Sequence, residues 1–373
     1  MPPFLKNLFK QSSRSVLGVD IGASAIKVVQ LSKKGNKASL DTYGAIALGP
    51  YADMEIGRAT NSAVEKLVEA LSDVIKESGV TTRECGFAIP FSSSLMTIVE
   101  MPAVPEAELA GMVPIEARKY IPVPISEVTL DWSVIPESKN SPDQNSSADK
   151  THNEVKLAGK QDVLIVAIHN DSIAKYQEIV QKSNLNASFF EIEVFSTMRS
   201  SLDQDTAPVM IFDMGAASTK LYILERGIVR SSHAINRGSQ DITMALSRAL
   251  AVPVEKAEVI KRDPKLGGHA DDRDAIEAMS LILDYVFSEA SRAIIAYQKK
   301  YSKTIHKVVL VGGGVELAGF KDRAHSAFQS EVVLGDPFSK VEAPAFLDEV
   351  LKTVGPEFAV ALGVALRRLQ EFE

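Results

Sequence analysis

A single cysteine, Cys85, occurs in 373 residues, so no disulfide can form within the chain and a reducing cytoplasm is the natural setting. A lone thiol reads first as a small buried hydrophobe. Long apolar runs are missing too. None reaches the roughly 18 residues that span a bilayer, and no signal-peptide core stands near the start. There is no basic excess: 41 Lys and Arg against 48 Asp and Glu leave a net charge of −7. That balance argues against a nucleic-acid partner, since phosphate contacts need clustered cations. The six histidines lack the spacing of a metal site, and no catalytic triad stands out.

What is present is ordinary globular material, 45% hydrophobic and 24% charged, enough for two cores and for two to three domains by length. Residues 1–14 form a short basic leader with Phe4, Leu5, Leu8 and Phe9 among Lys6, Lys10 and Arg14. At helical spacing these apolar residues share a face suited to an anionic membrane surface; the alternative is a frayed segment before the first strand.

Two strands over Ser15–Leu31 and a third over Ala38–Leu48 are followed by a helix. Val64, Leu67, Val68, Leu71 and Ile75 mark it, and it ends at Gly79. A buried strand, Cys85–Pro90, follows. The rhythm then breaks. Strands at Ser94–Met101, Glu127–Ile135 and Gln161–His169 alternate with helices at Pro105–Tyr120, with Pro114 inside, and at Asp171–Ser183. Residues 136–160, rich in Ser, Asn, Asp, Lys and Gln, read as a disordered loop. These features define an inserted α+β subdomain over 91–190, between a first lobe of 15–90 with 191–207 and a second lobe of 208–373. The second half restarts with three strands, then helices at 239–251, 254–262 and 273–301. The strand Lys307–Val311 leads into Gly312, Gly313 and Gly314, and a final helix covers Gly355–Leu369.

The segments VLGVDIGASAIK (16–27) and VMIFDMGAASTK (209–220) align without a gap, placing Asp20 over Asp213, 193 residues apart. Each opens three strands and then a helix, so the period marks a duplicated domain rather than a solenoid. The residue types suit a polyphosphate. Gly22 and Gly215 let backbone approach without a Cβ, and successive N–H groups form an anion nest. Ser24, Ser218 and Thr219 add hydroxyls, while Lys27 and Lys220 add positive charge. Asp20 and Asp213 make sense beside phosphate only through a hydrated Mg²⁺. Two such turns can clamp one triphosphate from opposite lobes.

These residues resemble the actin-like ATPase superfamily, whose two phosphate motifs are similar to 19–27 and 212–220. Its adenosine motif resembles VVLVGGGVELAGF (308–320). The resemblance implies an α/β, two-lobed duplicated ATPase fold with an inserted small subdomain, binding ATP and Mg²⁺. It adds Gly238 to the nucleotide contacts. It also places Glu258 and Lys261 at the border of the adenosine, the alternative being a solvated i,i+3 charge pair. A Glu opening the first connecting helix orients a water in this superfamily. Glu193 stands there as the candidate catalytic residue, with Val194 where a Pro often follows, so slow or negligible hydrolysis is expected.

Residues 100–135 and the opening Leu-Phe-Lys leader resemble the PilM family of type IV pilus assembly. That resemblance implies a cytoplasmic protein peripheral to the inner membrane. Its partner would be a PilN-like membrane protein, whose N-terminal peptide docks between the first lobe and the inserted subdomain. Other pilus platform or motor components and self-association come with it. Met101, Val104, Met112, Ile121 and Val123, close to several prolines, are expected to host the peptide, the alternative being a local core for the subdomain that uses some of them. The alternatives are an FtsA-like division filament protein and a small-molecule kinase of the same superfamily.

Overall fold

The computed structural model describes residues 15–35, 37–136, 159–203, 205–263, 265 and 273–371. The leader 1–14 and nearly all of the polar loop 136–160 lie outside them. In the first half the chain runs β1 (Ser15–Ile21), β2 (Ala25–Lys34), β3 (Lys37–Ala47), α1 (Val64–Glu77), β4 (Glu84–Ile89), β5 (Ser94–Pro102), α2 (Glu106–Ala117), β6 (Val128–Val134), β7 (Lys160–His169), α3 (Asn170–Lys182), β8 (Asn186–Ile192) and α4 (Glu193–Ser201). In the second it runs β9 (Val209–Met214), β10 (Thr219–Glu225), β11 (Ile228–Ile235), α5 (Ser239–Ala249), α6 (Val254–Lys261), α7 (Arg273–Tyr301), β12 (Lys307–Val311), α8 (Phe320–Ala327), β13 (Glu331–Leu334), α9 (Asp348–Val354) and α10 (Ala359–Gln370).

Two five-stranded sheets share one topology. The first is ordered β3-β2-β1-β4-β8 and the second β11-β10-β9-β12-β13. In each, an antiparallel three-strand meander is extended by two parallel strands. The duplication seen in the two motifs is therefore a duplication of whole sheets.

Strand alternation assigns the layers. Leu17, Val19 and Ile21 of β1 face one side and pack with Leu67, Leu71 and Val74 of α1 and with Tyr176 and Ile179 of α3. Val16 faces the other side, where Val29, Leu31 and Leu40 meet Ala361, Leu362, Ala365 and Leu366 of α10. The final helix, assigned from sequence to the second lobe, thus supplies a core layer of the first sheet. Its small residues permit this. A Cβ at Gly18 would stand 1.9 Å from the Ala361 carbonyl oxygen, so β1 and α10 are nearly in backbone contact. The second sheet buries Phe212 against Phe287, Phe320 and Phe328, with ring centroids 5.9–6.0 Å apart.

The chain divides into two compact units, Ser92–Ala174 and all the rest. The inserted segment is therefore shorter than the 91–190 drawn from sequence. Strand β8 pairs in parallel with β4 and completes the first sheet, and the C-terminal half of α3 joins that sheet's core. Within Ser92–Ala174, an antiparallel sheet ordered β5-β7-β6 packs on α2. Met101 and Ile121 are buried there, and Val104, Met112 and Val123 pack against the same core. Met101 and Ile121 thus belong to a local core of the unit, while Val104, Met112 and Val123 stay partly exposed beside it.

Candidate functional site

Each half begins with the same hairpin. Asp20 lies opposite Lys27 across β1 and β2, and Asp213 lies opposite Lys220 across β9 and β10. In the first turn the N–H of Gly22 donates to the carbonyl of Ala25 at 3.0 Å; in the second Gly215 donates to Ser218 at the same distance. A Cβ on Gly22 would stand 3.1 Å from that carbonyl oxygen, and on Gly215 3.2 Å. The two turns are tight to the same degree and for the same reason. Ser24 lies in the first turn, its carbonyl accepting the N–H of Leu48.

Lys220 of the second turn reaches Glu193, the first residue of α4. Lys220 Nζ is 2.7 Å from Glu193 Oε2 and 3.4 Å from Asp213 Oδ2. Glu193 Oε1 accepts the N–H of Phe91 at 2.6 Å. Lys27 pairs instead with Glu357, Nζ to Oε1 at 3.2 Å. Asp20 is 9% exposed, and burial pushes its carboxyl up to about 6. Glu193 and Asp213 add to that shift, while Lys27 and Lys220 oppose it. Burial disfavours both ammonium groups, yet the surrounding carboxylates outweigh it: Glu357 and Asp20 raise Lys27, and Asp213 and Glu193 raise Lys220. The cluster is anion-rich, and each turn lysine is already held by a carboxylate.

The glycine triplet runs alongside. Gly312, at φ +86, donates its N–H to the carbonyl of Pro356 at 2.8 Å, and a Cβ there would stand 2.5 Å from Asp213 Oδ1. Gly313 faces Glu357, and Gly314 sits against Met214. Gly238 caps α5 and donates to Asp241 Oδ2 at 2.8 Å. A Cβ there would meet the carbonyls of Ala216 and Gly215, so the start of α5 is seated on the second turn. Ser218 contributes its carbonyl to that turn, as noted. Thr219 departs from expectation. Its hydroxyl is buried and donates to the carbonyl of Arg237 at 2.9 Å, which makes it a structural brace rather than a phosphate donor.

Glu258 and Lys261 are buried together, Nζ to Oε2 at 2.6 Å, with the Thr243 hydroxyl on Glu258 Oε2 at 2.6 Å and Arg262 Nε on Oε1 at 2.7 Å. Burial opposes both charges. The donors around Glu258 overcome it and hold the carboxyl below its usual value, whereas Lys261 stays below the usual ammonium range. A solvated pair would not be so enclosed.

Several residues of the site carry no local sequence signature. Glu357 follows Gly355 and Pro356 at the entry to α10, a Pro-Glu start being the one available cue. Tyr222 shares a face of β10 with Lys220. Its ring meets Phe91 edge-on at 5.5 Å, and its buried hydroxyl has no hydrogen-bond partner among the described residues. The segment 49–63 carries no motif either, although Thr60 donates to the carbonyl of Ala23 and Ala59 to Gln240 Oε1. Among the described residues no group of three or more His, Cys, Asp or Glu side chains forms a direct metal site, and no helix is long and apolar enough to cross a membrane.

Comparison with known proteins fits this duplicated architecture. A solved PilM–PilN type IV pilus biogenesis complex is similar in fold, with a TM-score of 0.77, 24% identity and coverage of 94% of this chain and 98% of that one. The ethanolamine utilization protein EutJ of Carboxydothermus hydrogenoformans follows at a TM-score of 0.54, 15% identity and coverage of 98% and 90%. In sequence, the cell division protein FtsA of Neisseria meningitidis serogroup B is 21% identical over 95% of this chain and 90% of its own length. The two-lobed actin-like fold with an insertion is thereby established. The family model for the type IV pilus assembly protein PilM matches residues 18–369, and the chain belongs to that family.

Proposed function

We propose that this chain binds ATP with Mg²⁺ between its two glycine turns and serves type IV pilus assembly at the inner face of the cytoplasmic membrane. The observation that carries the nucleotide reading is the meeting of Asp20, Asp213, Lys220 and Glu193 from two duplicated hairpins and the helix between them. Asp20 and Asp213 would hold the Mg²⁺ through its water shell. The residues suit it by charge. Asp20 is buried among carboxylates that raise its own pKa, and a divalent cation offsets charge that the two lysines leave uncompensated. When bound, the ion neutralises charge on the polyphosphate.

Ser24 and Ser218 would bring hydroxyl donors to the phosphates on turns kept tight by Gly22 and Gly215, with Lys27 and Lys220 supplying charge. Gly312, Gly314 and Gly238 let the glycine triplet and the start of α5 pack closely on the second turn, Gly313 lies beside them, and Glu258 and Lys261 would border the adenosine. Glu193 is a poor water-orienting group as it stands, because each carboxylate oxygen already accepts a donor. Turnover is expected on the order of less than one per minute, far below the roughly 1–10³ s⁻¹ usual for enzymes. Calorimetry with ATP and Mg²⁺ tests the site. Asp213→Ala and Lys27→Ala should each weaken binding by about 1.5–3 kcal/mol, and unchanged affinity in both rejects it.

The solved PilM–PilN complex supports a PilN-like inner-membrane protein as partner. Its N-terminal peptide is taken to dock on the Ser92–Ala174 unit, where β5 and β6 each pair on one side only among the described residues, leaving edges for an added strand. Hydrogen exchange with such a peptide should protect this unit. The FtsA relatives favour a second reading, a division filament protein, and capture of a division component in place of the pilus peptide would select it.

A further inference from the structure

We propose that Arg58 is a further ligand of the nucleotide, its guanidinium taking a phosphate oxygen from a strap that bridges the two glycine turns. The inference rests on the nucleotide reading above and concerns a residue which that reading does not use.

The strap is the segment between β3 and α1. It leaves the first turn at Leu48, whose N–H donates to Ser24, and returns at Thr60, whose N–H donates to Ala23 at 2.8 Å. Between these anchors it reaches the second half. The N–H of Ala59 donates to Gln240 Oε1 at 3.1 Å, and the N–H of Gln240 donates to Ala216 in the second turn. Gly57, at φ +86, lies so close to Glu258 that a Cβ would stand 2.7 Å from its carboxyl carbon. A short chain of hydrogen bonds thus links Ala23, Ala59, Gln240 and Ala216, with Arg58 beside it.

The electrostatics single out Arg58. Lys27 is held by Glu357, Lys220 by Glu193 and Asp213, and Lys261 and Arg262 by Glu258. Arg58 Nη1 donates to the thioether sulfur of Met244 at 2.8 Å, and its Nε is buried without a partner. Among the described residues no carboxylate lies within ion-pair range of it. A thioether is a weak acceptor, and an under-used guanidinium costs stability wherever it is shielded from water. An arriving polyphosphate brings oxygens whose geometry matches the guanidinium fork, a stronger acceptor for the same donors. Among the described cations of the two turns and of α6, Arg58 alone can be recruited by a phosphate without breaking an ion pair.

The test is equilibrium binding of ATP with Mg²⁺, and of adenosine, to the wild-type chain, Arg58→Ala and Arg58→Lys. Arg58→Ala should weaken ATP by about 10- to 100-fold, the scale of one charge-assisted contact, and leave adenosine within about twofold, since adenosine carries no phosphate. Arg58→Lys should recover part of the loss, as a point charge without the fork. Should Arg58→Ala melt early, Arg58→Gln keeps the bulk, removes the charge and is expected to show the same discrimination. Unchanged ATP affinity, or equal losses for ATP and adenosine, would overturn the assignment and leave Arg58 as a strap anchor. A wild-type chain that binds neither ligand sinks the nucleotide reading itself.

Discussion

Replacing Gly363 by alanine tests how α4 and α10 cross. Gly363 sits in α10 where it passes α4, and a Cβ there would stand 2.0 Å from the carbonyl oxygen of Ser196 and 2.5 Å from its carbonyl carbon. These are backbone atoms of a buried helix, so no flexible side chain can yield. Moving the helices apart disturbs two hydrogen bonds that tie them, Ser200 Oγ to the Ala359 carbonyl at 2.7 Å and Arg199 Nη1 to the Gly363 carbonyl at 2.8 Å. Overpacking alone costs about 1–3 kcal/mol, and straining a charged and a neutral hydrogen bond adds about 1 kcal/mol or more. Gly363→Ala should therefore destabilise by about 2–4 kcal/mol, a drop of at least about 4 °C in melting temperature at roughly 2 °C per kcal/mol. Gly111→Ala in α2 is the matched control. Nothing lies within 4 Å of a Cβ there, so the usual helical gain of alanine over glycine, about 0.5–1 kcal/mol, should stabilise. Scanning calorimetry reads both. If Gly363→Ala matched Gly111→Ala in sign, the close crossing would be refuted, and with it the placement of Glu193 and Glu357 at its two entries.

Asp20→Asn should raise the stability of the nucleotide-free protein at neutral pH while weakening nucleotide with Mg²⁺. The folded pKa of Asp20 is raised to about 6 from 3.8, so ionisation opposes folding increasingly as pH climbs between those values. The gain from Asn is up to about 3 kcal/mol at pH 7.5 and should shrink towards zero near pH 4; melting curves showing no pH dependence in the difference would refute this. Glu191→Gln removes the negative charge shared by Arg199 and Arg367, both within 3.0 Å of its carboxylate, and leaves Arg199 on the Gly363 carbonyl and Arg367 on Glu371. The carboxylate is buried but the guanidinium groups are partly exposed, so the loss is expected at about 2–3 kcal/mol rather than the full cost of breaking a buried pair. Urea unfolding reads it, and an unchanged midpoint would show that the Gly363 carbonyl, Glu371 and solvent suffice for the two arginines.

Much of this molecule is written locally. The duplicated Asp-x-Gly turns were visible because a tight turn needs glycine and a fixed offset to its lysine, a constraint spanning eight residues. Strand and helix positions such as Lys307–Val311 and Arg273–Tyr301 followed from period and punctuation for the same reason. Tertiary structure decided what depends on distant partners. Lys27 could not be known to pair with Glu357, nor Glu193 to hold the N–H of Phe91, because those contacts join segments more than 100 residues apart. The close contacts of α10 fall on β1 and α4, partners that no local pattern of small residues names. Met101 and Ile121 looked like surplus apolar surface while α2 was judged alone; the sheet β5-β7-β6 supplies the face that buries them. Arg58 had no motif at all, since a cation is distinguished by the carboxylate it lacks only once all its neighbours are in place.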